Sequence, residues 1–459
     1  MSYILGDKET ICALSTPEGQ GGIAVIRVSG SQALSITQKL CPALPKTAES
    51  HRAYFAKFIS LKSQQIIDEV LVTYFEDGRS FTGEETIEIS CHGSQYLVLA
   101  ITSELVGAGC RVADRGEFTF RAFMNGRLDL AQAEGILGLI KSHNKAAAGV
   151  ALNQMRGSLS KTYREIENKI VLVLSHLEAS IDFTHEDIDP MENKSLNNEL
   201  KTIEAACEKL LMSYTQGRIL SEGCRVAIVG APNVGKSSLL NQMVQEEKSI
   251  VTPLPGTTRD LIEGCFVGDG FKIQLVDSAG IRESEDAIER LGVKKALESL
   301  SESTHVLIVL DGTEDLQRQM ELFRGRLDGK ITAVVVNKID LIGKDNLMEY
   351  KVSQINQNWI FVSALTGEGL ALVGDVLAKW SREVSDFSSA IITQSRHFEL
   401  LGKTKKGVAK AHELLNDCTS PEIIVFELQE AVRGIHEILG KEYSDQVLDR
   451  VFKEFCIGK

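Results

Sequence analysis

Over the first 123 or so residues, apolar and polar positions alternate in short runs broken by glycine-containing turns. "GGIAVIRVSG" (residues 21–30) and "ETIEISCHG" (85–93) carry the period-two pattern of strands. From about 125 to 213 the period changes. Tyr163, Ile166, Ile170, Val173 and Leu177 recur at alternating spacings of three and four, the stripe of an amphipathic helix. "DFTHEDIDP" (182–190) is an acidic break in that pattern.

Near residue 217 the texture changes again. The apolar runs "RVAIVG", "KIQLVD", "HVLIVLD", "TAVVVNK" and "WIFVSA" alternate with helical stretches up to about residue 382. Continuous apolar strands separated by helices predict a parallel, doubly wound α/β sheet. Past residue 395 the chain reads as helical to its end. The expected organisation is an α+β N-terminal domain (1–123), a helical domain in two pieces (124–215 and 383–459), and an α/β domain (216–382) inserted between them.

Composition narrows the class. The chain has 459 residues, 43% hydrophobic and 25% charged, as in a soluble globular protein. It has no apolar run of about 18 or more residues, so no membrane span is expected. "MSYILGDKET" lacks the basic and apolar regions of a signal peptide. The nine cysteines are scattered and form no CxxC pair, which points to free thiols in a reducing cytoplasm. A formal net charge of −13 disfavours a broad basic nucleic-acid surface but leaves room for a local patch.

Candidate chemistry concentrates in the α/β part. "GAPNVGKSS" (230–238) fits GxxxxGK[ST] and lies between an apolar strand and a helix. Such a loop turns backbone N–H groups inward around phosphates. Here Asn233, Val234, Gly235, Lys236, Ser237 and Ser238 line it, with Lys236 for the β/γ oxygens and Ser237 for Mg²⁺. "DSAG" follows, with Asp277 able to reach Mg²⁺ through water, then Ser278, Ala279 and Gly280, whose N–H can sense a γ-phosphate.

"NKID" supplies Asn337, Lys338 and Asp340. A carboxylate at Asp340 accepts from the ring N–H and amine of guanine, a pair adenine lacks. Ser363, Ala364 and Leu365 end the next strand, where backbone can support the base. The four elements fall at strand ends in the order a GTPase needs, so the nucleotide is read as GTP. Many GTPases place a water-orienting Gln directly after DxxG. This chain has Ile281 there, so hydrolysis needs other polar groups. Candidates are "GTTRD", with Arg259 and Asp260, and the acidic stretch "RESEDAIER".

Those motifs, together with "TPEGQGGIAVIRVSG", "FTGEETIEISCHGS", "RGEFTFRAFMNGRLDLAQAE" and the terminal "CIGK", resemble the MnmE (TrmE) family of bacterial tRNA-modification GTPases over essentially the whole chain. The resemblance implies a folate-binding N-terminal domain, a split helical domain and an inserted Ras-like P-loop domain. It implies a homodimer formed through the N-terminal domains and a complex with an MnmG-type FAD protein, as a heterotetramer. Together such proteins add an aminomethyl or carboxymethylaminomethyl group to carbon 5 of the wobble uridine of certain tRNAs, from 5-formyl- or methylene-tetrahydrofolate.

By motif, Ser237 and Thr258 resemble Mg²⁺ ligands, and Asn233, Thr252, Leu254 and Thr257 resemble a K⁺ site. Pro253, Pro255 and Gly256 belong to the same nucleotide loop. Glu289 resembles the glutamate that positions the attacking water. Arg27, Glu88, Arg127 and Lys459 match the family's folate contacts. Pro253 and Pro255 depart from the family pattern and remove N–H donors from the K⁺ loop.

Cys456 has two readings. It is a small inert thiol near a helix end, or a nucleophile towards carbon 6 of the uridine, with Lys453 and Lys459 holding its thiolate. The competing function is a ribosome-assembly GTPase of the Era or Der type, although no basic KH-like module follows residue 382. A stand-alone folate aminomethyltransferase with a regulatory GTPase domain is a third reading.

Overall fold

A computed structural model describes residues 9–142, 144–182, 190–222, 224–231, 233–245, 264–268, 271–277, 303, 305–321, 323, 331–342, 359–382, 390–417 and 419–459. In chain order the first elements are β1 (Ile11–Leu14), β2 (Gly21–Ser29), α1 (Ala33–Leu40), β3 (Arg52–Ile59), β4 (Ile66–Phe75), β5 (Thr86–Gly93), α2 (Gln95–Gly107) and β6 (Arg111–Val112). Helices follow: α3 (Glu117–Met124), α4 (Leu130–Lys141), α5 (Lys145–Met155), α6 (Ser158–Asp182), α7 (Pro190–Met212) and α8 (Tyr214–Glu222). Next come β7 (Cys224–Val229), α9 (Lys236–Gln245), β8 (Gly264–Gly268), β9 (Phe271–Asp277), β10 (His305–Asp311), α10 (Leu316–Glu321), β11 (Ile331–Asn337), β12 (Trp359–Phe361) and α11 (Leu370–Arg382). The last helices are α12 (Ser395–Asn416), α13 (Pro421–Leu439) and α14 (Asp445–Lys453).

The chain forms two compact units. One contains Met1–Ile140, Ala151–Lys209 and Arg396–Lys459, so both ends of the chain share it; the other contains Lys141–Val150 and Leu210–Ser395.

In the first unit a six-stranded sheet runs β3-β4-β5-β2-β1-β6, antiparallel except for the parallel β1–β6 pair. Alternation sorts its faces. Ile26, Val28, Val70, Val72, Ile87 and Ile89 point into a core closed by Ile36 and Leu40 of α1 and Ile101 and Leu105 of α2. The residues between them, including Arg27 and Glu88, lie on the opposite face, and these two are directly paired in the β2–β5 register.

The predicted helical stripe is the buried side of α6: Tyr163, Ile166, Ile170, Val173 and Leu177 are each at most 2% exposed. Helix α6 packs on α13. An internal ion cluster joins α4 to the start of α12. Arg396 Nε and Nη2 donate to the two oxygens of Glu134 at 2.9 and 3.0 Å, and His397 Nε2 lies 2.5 Å from Glu134 Oε2.

At the chain's end, Ser444 caps α14 by accepting from Val447 N. That helix seats Phe452 against Phe120, with ring centroids 5.4 Å apart, and Phe455 beside it. Each fully buried ring contributes about 1.5–3 kcal/mol towards docking this helix on the N-terminal part.

In the second unit the sheet order is β12-β11-β10-β7-β9-β8. Every pair is parallel except β8–β9. All seven residues of β10 are buried, as a strand covered on both faces requires. One face packs on Leu239, Leu240 and Met243 of α9 and on Leu370, Val373 and Leu377 of α11; the other packs on Leu316 and Phe323. The apolar runs do not predict the antiparallel β8. "GCFVG" is short and carries glycine at both ends, so its pattern is weak. No helix among the described residues is long and apolar enough to cross a membrane.

Candidate functional site

The phosphate loop leaves the end of β7 and enters α9. Asn233 has φ 66°, a left-handed conformation that a non-glycine residue holds only when its surroundings enforce it. Gly235 has φ 94°, and a methyl group there would sit 2.2 Å from Asn337 Nδ2. Lys236 is nearly buried, and its ammonium donates to the carbonyls of Gly230 and Ala231 at 3.1 and 3.0 Å. Val234 is buried, whereas Asn233, Ser237 and Ser238 are exposed at the mouth of the loop.

The strand ends beside this loop complete the constellation. Asn337 is buried and acts as a cross-link. Its Nδ2 donates to Val234 O at 2.8 Å, and its Oδ1 accepts from Ala364 N at 2.9 Å. This side chain therefore ties the phosphate loop to the Ser363–Leu365 loop. Asp340 is exposed, and its Oδ1 accepts from Ser363 Oγ at 2.6 Å. Ser363 Oγ in turn accepts from Thr366 N at 3.1 Å, which orients the hydroxyl hydrogen towards Asp340. Lys338 has φ 66°, and its ammonium donates to Asp311 Oδ2 at 2.6 Å. Leu365 is 79% exposed, an apolar side chain left open to solvent.

Asp277 ends β9. Thr252, Pro253, Leu254, Pro255, Gly256, Thr257, Thr258, Arg259, Asp260, Ser278, Ala279, Gly280, Ile281 and Glu289 lie outside the described residues.

A second polar cluster occupies the open face of the N-terminal sheet. Arg27 Nε and Nη2 both donate to Glu88 Oε1, at 3.0 and 2.8 Å. The guanidinium carbon lies 5.7 Å from the Phe81 ring centre and 5.6 Å from that of Phe118. Cation–π attraction and the carboxylate together fix its plane. Arg127 donates to Gly78 O at 3.2 Å, and its stem runs beside Gly83, so it braces the turn that carries Phe81.

The C-terminal tail reaches this cluster. Ile457 forms an antiparallel bridge with Arg115, and Ser15 Oγ donates to Gly458 O at 3.0 Å. Lys459 is half-buried. Burial and the Arg27 guanidinium push its ammonium pKa down, opposed by Glu88 and Cys456. The tail is thus held at the Leu14–Ser15 end of β1, beside the strand that carries Arg27, and Lys459 feels the charges of Arg27, Glu88 and the exposed Cys456.

Lys453 behaves differently from the sequence expectation. Its ammonium donates to Asp449 at 2.7 Å, one helical turn back, so a carboxylate rather than a thiolate is its partner. Sequence reasoning also missed Phe81, Phe118 and Ser15. Phe81 opens the quoted "FTGEE" and Ser15 directly precedes "TPEGQ", but no periodic signal says that an aromatic or hydroxyl side chain faces a cluster built from elsewhere.

Known proteins give the context. The family description "MnmE helical domain" matches residues 130–456, and "GTP-binding protein TrmE N-terminus" matches residues 10–127. A tRNA modification GTPase MnmE from Bdellovibrio bacteriovorus is 44% identical over 99% of this chain and 98% of its own length. The one from Natranaerobius thermophilus is 38% identical over 98% of this chain and all of its own. A solved structure of Era from Aquifex aeolicus with GDP and AlF4 is 29% identical, covering 40% of this chain and 66% of that one. Its TM-score of 0.29 decides nothing about the fold. The MnmE relatives match the N-terminal and helical parts as well as the GTPase motifs, which the ribosome-assembly reading leaves unexplained. On the full-length identity and both matched domains, the chain belongs to the MnmE (TrmE) family of tRNA modification GTPases.

Proposed function

We propose that this GTPase acts with an MnmG-type FAD protein to install an aminomethyl or carboxymethylaminomethyl group on carbon 5 of the wobble uridine of certain tRNAs. A tetrahydrofolate supplies the carbon when bound. The proposed division of labour follows the domains: residues 1–123 hold folate and pair two copies, 216–382 bind and hydrolyse GTP, and the helical pieces 124–215 and 383–459 link them. The proposed assembly is a homodimer that joins its flavoprotein partner as a heterotetramer.

One observation supports the folate assignment beyond family membership. The tail seats Gly458 on Ser15 next to β2, so Lys459 feels the charges of the Arg27–Glu88 pair, whose guanidinium lies against the Phe81 and Phe118 rings. A folate offers a pterin with ring N–H and amino donors and a tail with carboxylates. Glu88 can accept from the first, and the cationic Lys459 and Arg127 can meet the second. Arg27 is already committed to Glu88 and so orients that carboxylate rather than clamping the tail itself.

In the GTPase part, Asn233 and Ser237 at the exposed loop mouth fit the proposed K⁺ and Mg²⁺ roles, since both carry oxygen donors. Thr252, Leu254 and Thr257 would complete the K⁺ shell and Thr258 the Mg²⁺ shell, with Glu289, Arg259 and Asp260 as candidate groups for hydrolysis. A K⁺ there supplies positive charge where other GTPases use an arginine finger.

Mass spectrometry of wobble-position nucleosides tests the whole reading. Cells lacking this gene should lose the modified uridine, and the wild-type gene should restore it. Restoration by Cys456→Ser at the wild-type level would remove Cys456 as a nucleophile. Unmodified levels equal to those of wild-type cells in the gene's absence would overturn the function.

A further inference from the structure

Strands β10 and β11 are parallel neighbours that end level with each other, so Asp311 sits opposite Asn337. The chain turns sharply just beyond, and Gly312 N donates to Asn337 O at 2.9 Å. Asp311 is 6% exposed and held on every side. Its backbone N–H donates to Gln319 Oε1 and its carbonyl accepts from Gln319 Nε2, both at 2.9 Å. Its Oδ1 accepts from the N–H and hydroxyl of Thr313, at 2.9 and 2.6 Å. The remaining oxygen, Oδ2, takes the Lys338 ammonium. Burial pushes the Asp311 carboxyl up, but Lys338 and Thr313 outweigh it and hold the group below its usual range, so it stays an anion.

Lys338 is the long, rotamer-rich side chain of this arrangement. It lies within the candidate guanine motif, between the buried Asn337 and the exposed Asp340. Its left-handed backbone is strained for a residue with a side chain. A lysine stem left free has several rotamers, and ordering them on binding weakens affinity. With its ammonium anchored at 2.6 Å on a carboxylate that cannot itself move, the stem is ordered before any ligand arrives.

We propose that Asp311 is a positioning residue of the nucleotide site: it anchors the Lys338 ammonium so that the four-carbon stem stands as a preformed wall against the face of the guanine ring. This rests on the assignment of Asn337–Asp340 as the guanine site. The group it would act on is a guanine nucleotide of any phosphate number, since Asp311 lies at the base end of the motif and not in the phosphate loop.

The test is a double-mutant cycle on the full-length chain, read as the Kd for N-methylanthraniloyl-GDP by fluorescence titration. Asp311→Asn keeps an oxygen for Thr313 but removes the charge that anchors Lys338. It should weaken binding roughly three- to tenfold by releasing one rotamer-rich side chain. Asp311→Ala should weaken it similarly. In a Lys338→Met background neither change should cost anything further, because the group they act through is gone. Wild-type affinity in Asp311→Asn overturns the proposal, as does an equal loss from Asp311→Ala with or without Lys338. Thermal midpoints measured alongside separate a misfolded variant from a weak binder, and Asp311→Asn, the milder change, remains decisive if Asp311→Ala unfolds. If Lys338→Met and Asp340→Asn both bind guanine nucleotide as wild type, the guanine-site assignment has failed, and the proposal with it.

Discussion

Gly458 holds the penultimate position of the tail that delivers Lys459 to the Arg27–Glu88 pair. Its φ is 90°, and a methyl group placed on it would lie 1.9 Å from the carbonyl oxygen of Leu14. Gly458→Ala therefore imposes two costs on the docked tail. A left-handed conformation costs a residue with a Cβ about 1–2 kcal/mol. Moving away from Leu14 also breaks the Ser15–Gly458 hydrogen bond, worth about 0.5–1.5 kcal/mol. Together these disfavour docking by roughly 2–3 kcal/mol.

The anchors upstream are untouched, since Phe452 and Phe455 stay buried in their own cluster, so the thermal midpoint should barely move. A ligand that needs the docked tail sees only the competent fraction, and its apparent affinity should fall by up to about 30- to 150-fold, the factor that 2–3 kcal/mol corresponds to. The assay is calorimetric titration of 5-formyltetrahydrofolate into wild type and Gly458→Ala, with GDP affinity as the internal control. Wild-type folate affinity in the variant would refute the reasoning that the docked tail forms part of the site. Equal loss of folate and GDP binding would point to general damage instead.

Three further outcomes are expected. Replacing K⁺ by Na⁺ at constant ionic strength should lower the kcat of GTP hydrolysis about tenfold or more, because Ile281 offers no polar group to replace the missing charge; equal rates in both salts would end the K⁺ assignment. Asp340→Asn should weaken GTP and strengthen xanthosine triphosphate, since an amide can donate to xanthine's extra carbonyl, and the Ser363 hydroxyl can still donate to the amide oxygen. An unchanged preference would remove Asp340 from the base site. The third concerns acid stability. Glu134 is fully buried; burial alone would raise its pKa, but Arg396 and His397 push it down to about 2. A depressed carboxyl stabilises above its ordinary pKa and loses that contribution as pH falls from about 4.5 towards 2, here about 3 kcal/mol in all. The gap in urea midpoint between wild type and Glu134→Gln should therefore narrow between pH 6 and pH 3. A gap that stays constant would mean that Glu134 titrates normally.

Local periodicity and motif order were enough to read much of this protein. Strands β2, β5, β7 and β9 to β12, the buried stripe from Tyr163 to Leu177, and the phosphate-loop and NKID elements at strand ends are legible, because burial on one face of a strand or helix repeats with that element's own period. The family follows from the same stretches. The partners of individual polar groups were not legible. Asn337, read as part of a base motif, spends its amide joining Val234 to Ala364. Arg27, which resembles a folate contact, is committed to Glu88 and lies against the Phe81 and Phe118 rings. Lys453 turns to Asp449, and Asp311, read only as the last letter of an apolar run, holds Lys338. Periodicity says which side of an element is buried, but a hydrogen bond depends on distances of a few tenths of an ångström between segments far apart in the chain. Those distances exist only after Phe452 and Phe455 have docked the last helix and the parallel strands have brought their ends level. That is why the tail's place beside Arg27 belongs to the tertiary structure alone.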